Sequence, residues 1–242
     1  MNSIKIIYED SNLLVLDKPA GVTVNRSETT RHQITVQDLT DKHIDFPSDS
    51  DRESDFIKRS GIVHRLDKET SGILLVAKNE AAFKELQRQF KEREVKKTYL
   101  ALAHGKIIPE EGEIKAAVGR LPWNRKRFGV IAGGREAMTK YKVLSIKYLV
   151  SGKKEEPLSL LELYPETGRT HQIRVHLKYI NRPIFADELY AGRKVSREDR
   201  KYLGRVFLHA TKISFKHPFS GKTVEFTSGL PLELENLLKQ VE

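Results

Sequence analysis

The segment 61–72 reads GIVHRLDKETSG and contains the strongest candidate for a catalytic group, the carboxylate of Asp67. Arg65 and Lys68 supply basic groups on either side of it. A carboxylate that acts as a nucleophile must be ionised and oriented, and a nearby guanidinium favours both conditions. The alternative is that Asp67 forms an Asx-turn or a cap before the next strand, with Arg65 as a surface partner. Because the pattern Arg-x-Asp is common, local chemistry alone favours this structural alternative.

A second polar cluster occupies the segment 167–176, which reads TGRTHQIRVH. Arg174 lies beside Ile173 and Val175, positions expected to face the core, so it could project from a rigid helix. The alternative is an ordinary cationic helix whose histidines make structural hydrogen bonds. A third feature, Tyr99, is by itself more often a half-buried strand residue than a stacking platform for a base.

Several familiar sites are excluded by the residues present. The chain has no cysteine, which rules out disulfides and cysteine-ligated metal centres. The segment 221–223 resembles the end of a phosphate-binding loop, but Lys216 stands where the first glycine belongs. His171 and His176 are five positions apart, a poor helical spacing for a metal. The sequence therefore predicts neither a cofactor nor a metal.

The charge distribution favours a polyanionic partner over the alternative, a soluble protein whose lysines only keep it dispersed. The chain of 242 residues carries 43 Lys+Arg against 33 Asp+Glu, a formal net charge of +10. Segment 120–142 contains seven bases and one acid, together with Trp123 and three glycines, whereas segment 41–55 contains six acids and two bases. Bases beside an aromatic residue on a flexible segment suit phosphate contact and base stacking. We therefore expect nucleic acid to contact the segment 120–142.

The elements that would position these groups follow from apolar periodicity. We expect a polar loop at 41–60 and helices capped by Asn79 and Thr170, with a closing helix whose first residue is Pro231. Strands are expected at 4–8, 13–17, 73–77, 98–103, 141–150, 158–163, 206–215 and 223–227. Runs of strands with irregularly placed helices predict an α+β fold with a mixed, largely antiparallel sheet and flanking helices.

The hydropathy pattern favours a cytoplasmic protein. Charged positions interrupt the first 20 residues, so no signal peptide can be read there. The longest continuous apolar run, 73–77, is far too short to span a bilayer. The absence of cysteine also fits a reducing compartment.

Five motifs together resemble the RluA family of RNA pseudouridine synthases. They are KPAG at 18–21, HRLD at 64–67 with TSG at 70–72, KTYLAL at 97–102, GRTHQIRVH at 168–176 and LHA at 208–210. The match extends from about residue 4 to about residue 227. One departure is the segment 186–191, ADELYA, where the family often has two glycines in place of Ala186 and Ala191. The resemblance implies one catalytic domain over 1–242, with a central cleft and no N-terminal S4 domain.

The resemblance also implies a role for each matching residue. Asp67 would be the catalytic carboxylate, and Arg174 would pair with it and keep it ionised. Tyr99 would stack on the uracil and assist removal of its C5 proton. Arg65 would help to open the base stack, and Leu208 would form an apolar wall against the base. Neither a cofactor nor a metal is needed for this chemistry.

The implied substrate is a uridine in structured RNA, with 23S ribosomal RNA placed ahead of tRNA. We expect a monomer without an obligate protein partner and without membrane contact. One alternative is a non-catalytic RNA-binding protein on the same fold. Another is a carboxylate-dependent enzyme acting on small sugars or nucleosides, which usually needs two carboxylates. Near Asp67 only Glu69 is available for that second role.

Overall fold

The computed structural model describes residues 4–31, 33–46, 54–151 and 154–241. Within them, the elements in chain order are β1 (Lys5–Glu9), β2 (Leu13–Lys18), a 3-10 turn (Glu28–Thr30), α1 (Val36–His43), α2 (Asp55–Lys58), β3 (Ser71–Ala77), α3 (Glu80–Lys91), β4 (Lys96–His104), β5 (Glu111–Lys115), β6 (Val118–Leu121), β7 (Asn124–Val130), β8 (Met138–Ser151), β9 (Lys154–Pro165), α4 (Gln172–Tyr179), α5 (Arg193–Asp199), β10 (Leu208–Lys216), β11 (Thr223–Thr227) and α6 (Leu232–Gln240). None of the helices in this part of the chain is long and apolar enough to cross a membrane.

The chain divides into two compact units. The first unit contains residues 1–96 and 212–228, and the second contains residues 97–211 and 229–242. Strand β10 therefore begins in the second unit and ends in the first. From Lys212 onward, β10 pairs antiparallel with β11.

The core of the first unit lies around β3. This strand is buried along its whole length, as its continuous apolar run predicts. It pairs antiparallel with β2, which also pairs antiparallel with β1. Helix α3 begins as expected, because the side chain of Asn79 accepts a hydrogen bond of 2.9 Å from the backbone N–H of Ala82. Phe83 and Leu86 then pack into the same core as β3.

The second unit contains β4, β9, β8 and β5, with antiparallel pairing between β4 and β9, between β9 and β8, and between β8 and β5. Its main hydrophobic cluster includes buried residues of β4 and β9 together with Ile173 and Leu177 of α4 and Leu234 and Leu237 of α6. Strands β6 and β7 form a separate two-stranded hairpin. The predicted α+β class with a largely antiparallel sheet is confirmed.

Four local predictions are wrong. The expected loop at 41–60 contains the end of α1 and the whole of α2, while its residues 47–53 lie outside the described residues. Helix α4 is capped by His171 in a left-handed conformation, not by Thr170. Pro231 is the cap before α6, because its extended ψ of 147° is not helical. No strand was expected between residues 103 and 141, but most of the basic segment 120–142 belongs to the β6–β7 hairpin and to the start of β8.

Candidate active-site residues

In the first unit, Asp67 precedes a tight turn that leads directly into the buried strand β3. The backbone carbonyl of Asp67 accepts a 3.1 Å hydrogen bond from the N–H of Thr70, which closes the turn. The neighbouring Leu66 is buried, Asp67 is half-buried and Arg65 is exposed. The loop is therefore anchored by an apolar side chain immediately before the carboxylate, while the guanidinium of Arg65 is accessible to a ligand.

A buried lysine, Lys18, also restrains this turn through hydrogen bonds. Lys18, at the end of β2, is fully buried, and its ammonium donates to the carbonyls of Pro19 (2.9 Å), Val22 (2.9 Å) and Lys68 (3.2 Å). The N–H of Gly21 donates to the same Lys68 carbonyl at 2.8 Å. A buried charge is costly unless hydrogen bonds satisfy it, and here three carbonyls do so. The motif at 18–21 thus fixes the backbone of the residue that follows Asp67.

His64, three residues before Asp67, connects the loop to β3 by a hydrogen bond. Its Nε2 accepts a 2.9 Å hydrogen bond from the backbone N–H of Leu75, so the proton of the neutral ring is on Nδ1. The ring also lies 4.9 Å from that of Phe90, centroid to centroid. At the start of the loop, Gly61 has φ = 73°, and a Cβ there would lie 2.1 Å from the carbonyl oxygen of Ala77. Sequence reasoning did not identify Lys18 or His64 as supports of the loop.

In the second unit, Tyr99 and Leu208 belong to the same hydrophobic region. Tyr99 lies on β4 opposite Leu163, is half-buried and packs against the main cluster. Leu208, the first residue of β10, is a member of that cluster and is 3% exposed. The structure therefore places an aromatic hydroxyl-bearing side chain and an apolar side chain on one core.

Arg174 is held rigidly within the second unit. It is 7% exposed on α4 and makes a two-pronged ion pair with Asp187, with Nε–Oδ2 and Nη2–Oδ1 distances of 2.7 and 2.8 Å. The same carboxylate accepts from the backbone N–H groups of Leu189 and Tyr190. The guanidinium carbon also lies 5.1 Å from the centre of the Tyr190 ring. Asp187 fixes the plane of the guanidinium, a role that the sequence did not indicate. The pairing of Arg174 with Asp67 stays a prediction.

Two further polar residues of α4, Gln172 and His176, make structural hydrogen bonds. The side chain of Gln172 accepts from Thr167 and from the N–H of Arg169, and donates to the carbonyl of Met138. His176 is fully buried, with Nδ1 and Nε2 each 3.0 Å from a partner oxygen, on Thr139 and Ala116. Burial lowers the pKa of His176, so the ring is neutral at pH 7. Within the described residues, no group of three or more histidine or acidic side chains is arranged to hold a metal ion.

The β6–β7 hairpin presents bases and an aromatic ring to solvent. Trp123 lies at its turn and is 78% exposed. Arg120, Arg125 and Lys126 are exposed beside it. The hairpin is linked to the start of α4 through Tyr190. The N–H of Phe128 donates to the hydroxyl of Tyr190 at 3.1 Å, and that hydroxyl lies 2.9 Å from Nδ1 of His171, the cap of α4.

Comparisons with known proteins agree on one family. A family model described as RNA pseudouridylate synthase matches residues 12–179. A Neisseria meningitidis protein named ribosomal large subunit pseudouridine synthase D is 40% identical over 243 residues, covering 98% of this chain. The chain spans only 60% of that relative's length. An uncharacterized RNA pseudouridine synthase of Bacillus subtilis is 36% identical over 236 residues, covering 98% of this chain and 72% of the relative.

Among solved structures, human RNA pseudouridylate synthase domain containing 1 superposes with a TM-score of 0.72 at 29% identity. The match covers 97% of this chain and 87% of the human chain. The human domain containing 4 gives a TM-score of 0.70 at 23% identity, covering 98% and 93% of the two chains. The second likeness shows a shared fold.

Proposed function

This chain belongs to the RNA pseudouridylate synthase family, and we propose that it isomerises uridine to pseudouridine within folded RNA. The observation that carries the proposal is the fixed turn after Asp67. Lys18 and Gly21 bind the carbonyl of the residue that follows this carboxylate, and the buried side chain of Leu66 anchors the backbone immediately before it. Such restraint is expected of a nucleophile, because a poorly oriented group loses most of its catalytic advantage.

In the proposed reaction, Asp67 attacks the target nucleotide after the base has left the RNA stack. Extrusion of a base costs about a few kcal/mol, which contacts to the phosphates can offset. The bond between N1 of uracil and the sugar breaks, the base turns, and a bond from C5 to the sugar forms. The bond that Asp67 made to the nucleotide breaks again, which restores the free carboxylate. The C5 proton leaves to solvent and N1 gains a proton, so the reaction needs no oxidant, reductant or cofactor.

We assign the other residues supporting roles in this reaction. Tyr99 stacks on the uracil and assists removal of the C5 proton, and Leu208 provides apolar contact to the base. Arg174 keeps Asp67 ionised and oriented. Arg65 is exposed, which suits contact with the RNA and the opening of its stack. The rigid ion pair of Arg174 with Asp187 supports its assignment as a fixed electrostatic group.

The proposed RNA interface includes the β6–β7 hairpin. Its exposed bases suit contacts with phosphates, and the exposed ring of Trp123 suits stacking on an unpaired base. No base sequence is read by such contacts. The hairpin therefore contributes affinity, and selection of the uridine depends on the shape of the RNA.

The proposed substrate is large-subunit ribosomal RNA in the cytoplasm. The name of the Neisseria relative supports this choice over tRNA. The direct test uses RNA labelled with tritium at uridine C5, since isomerisation releases this tritium to water. We expect release from a large-subunit ribosomal RNA transcript and none from free uridine. Release from tRNA alone would support the alternative substrate, turnover of free uridine would support a nucleoside enzyme, and no release from any substrate would support a non-catalytic RNA-binding protein.

A further inference from the structure

Ala186 occupies a backbone conformation that alanine rarely adopts. Its φ is 61°, in the left-handed region, where a side-chain Cβ crowds the following carbonyl oxygen. Glycine adopts this conformation readily, but alanine must be held there by its surroundings. The position matters because Ala186 immediately precedes Asp187, which binds Arg174.

Asp199, the last residue of α5, and the following Arg200 make hydrogen bonds to both polar backbone groups of Ala186. The carboxylate of Asp199 accepts from the N–H of Ala186 at 2.9 Å. The Nε of Arg200 donates to the carbonyl of Ala186 at 2.9 Å. Asp199 is 4% exposed, so little water competes for its hydrogen bonds. These bonds restrain the peptide groups on both sides of Ala186.

His104 in turn fixes Asp199. The imidazole Nε2 lies 3.0 Å from Oδ2 of Asp199, and Nδ1 lies 2.7 Å from a carboxylate oxygen of Glu156. Burial alone would lower the pKa of His104, but hydrogen bonds to Asp199 and Glu156 outweigh it and raise the pKa to about 9. Both ring nitrogens therefore donate at neutral pH. The stacked ring of Phe185, with centroids 5.6 Å apart, holds the imidazolium in place.

We propose that His104, Asp199 and Arg200 are positioning residues that hold Ala186 left-handed and thereby aim Asp187 at Arg174. The inference rests on the proposed function for the role of Arg174. These three residues, called the α5 clamp below, contact neither the target base nor the rest of the RNA. Its effect on the reaction passes only through the orientation of the Arg174 guanidinium.

The decisive experiment combines removal of the clamp with a change at Ala186. Asp199→Ala removes the acceptor for the Ala186 N–H and leaves the imidazolium of His104 with one carboxylate. Arg200→Met is the milder variant, because it removes the donor but keeps most of the aliphatic stem. We expect each variant to lower the single-turnover rate of tritium release about tenfold. Without the hydrogen bond, Ala186 leaves the left-handed conformation, and the fraction of molecules that keep it falls by about this factor. RNA affinity should stay within about twofold.

A glycine at position 186 should reverse the loss. In Asp199→Ala/Ala186→Gly, the left-handed conformation no longer needs the clamp, so the rate should return to within about threefold of the unaltered protein. Leu237→Ala is the control for general destabilisation, because Leu237 is buried in the core of the second unit and lies outside the clamp. It should lower the melting temperature about as much as Asp199→Ala does, without changing the rate of tritium release below that temperature.

A second readout does not depend on catalysis. The Nε–H of Arg174, bound to Asp187, should give a slowly exchanging NMR signal, assigned by its loss in Arg174→Lys. We expect Asp199→Ala to speed its exchange and the added Ala186→Gly to slow it again. Unchanged exchange and rate in the clamp variants, or a loss that glycine does not reverse, would overturn the inference. An unaltered protein that shows the protected signal but releases no tritium would instead overturn the proposed function.

Discussion

At the scale of single residues, the orientation of Asp67 depends on a lysine that is far from it in sequence. Lys18 is separated by 50 positions from Lys68, whose carbonyl it binds. Its ammonium is fully buried, so each of its carbonyl partners replaces a lost contact with water. Removal of the charge would leave three carbonyls without this donor. The backbone turn that presents Asp67 would then be less restrained.

Lys18→Met should therefore reduce both stability and activity. Methionine matches the stem of lysine but donates no hydrogen bond. We expect the free energy of unfolding to fall by about 2–3 kcal/mol, the usual effect of losing buried hydrogen bonds to a charged group. Urea unfolding measures this change, with Lys96→Met, at an exposed position, as the control. An unchanged midpoint would show that the ammonium contributes nothing to the turn.

At Tyr99, the contribution of the ring to packing can be separated from the contribution of the hydroxyl to catalysis. The ring packs against the core of the second unit, so Tyr99→Phe should preserve folding and RNA affinity. If the hydroxyl assists removal of the C5 proton, the rate of tritium release should fall by about 100-fold or more, as for loss of a general base. Leu163→Val on the facing strand controls for changes in packing. Full activity of Tyr99→Phe would remove the hydroxyl from the mechanism.

The proposed role of Asp67 came from the resemblance of its motif to a family, whereas its supports were not identified at all. The local pattern of a carboxylate between bases favours a structural role, so it does not by itself predict a nucleophile. Lys18, His64 and Asp187 have no such pattern, because each acts through a hydrogen bond to a residue distant in sequence or to a backbone atom.

At the scale of elements, the β6–β7 hairpin explains why the basic segment was misread. Exposed arginines and lysines interrupt the apolar alternation of β7, so the usual strand signal is absent. The hairpin is stabilised instead by cation–π and aromatic contacts. The guanidinium of Arg120 lies 5.1 Å from the ring centre of Phe128, and that of Arg127 lies 5.7 Å from Tyr190.

These contacts show which basic side chains stabilise the hairpin and which are available to bind RNA. Charge reversal should be confined to Arg125 and Lys126, because Arg127 lies against Tyr190. Arg125→Glu/Lys126→Glu should weaken binding to all RNA sequences and lower the slope of log affinity against log salt by about 1.5–2, if each base meets one phosphate. Binding across a salt series measures it, and Lys84→Glu/Lys91→Glu on α3 is the matched control. Equal slopes in the two variants would place the hairpin outside the interface.

Helix α4 shows the same limit of local prediction. Its apolar positions predicted the helix, and Ile173 and Leu177 are buried as expected. The cap was misplaced because Thr170 has the preferred side chain, whereas the helix begins after a left-handed His171. The Nδ1 of that histidine lies 2.9 Å from the hydroxyl of Tyr190, a contact that only the folded unit provides.

At the scale of the whole molecule, two buried histidines define a pH range of maximum stability. The pKa of His104 is raised to about 9 against an ordinary value of 6.5, so its contribution is complete below pH 6.5 and is lost as pH rises through 9. The pKa of His176 is lowered by burial, so its neutral ring favours folding above pH 6.5, and this advantage declines as pH falls. Stability should therefore be greatest near pH 6.5, where both contributions are close to complete.

Urea unfolding from pH 5 to 10 tests this expectation. His104 should contribute on the order of 3 kcal/mol between pH 6.5 and 9, and His104→Gln should flatten that alkaline decline. His43→Gln is the control, because His43 pairs with Glu9 on the surface. An alkaline decline that persists unchanged in His104→Gln would exclude a buried imidazolium.

The family could be recognised from a few short motifs spread over nearly the whole chain. The resemblance to the RluA family is confirmed by the family match and by relatives of similar sequence. The bounds of the two compact units were not predicted. Such a division depends on contacts between distant segments, including the return of β10 and β11 to the first unit, which apolar periodicity does not report.

The most direct test of the account replaces Asp67 by asparagine, which preserves size but removes the nucleophilic charge and replaces one acceptor oxygen by an NH2 donor. Tritium release from C5-labelled RNA is measured together with RNA affinity, and Glu69→Gln in the same turn serves as the matched control. We predict that Asp67→Asn releases no tritium and binds RNA within about twofold of the unaltered protein, while Glu69→Gln remains active. Continued turnover by Asp67→Asn would contradict the central claim.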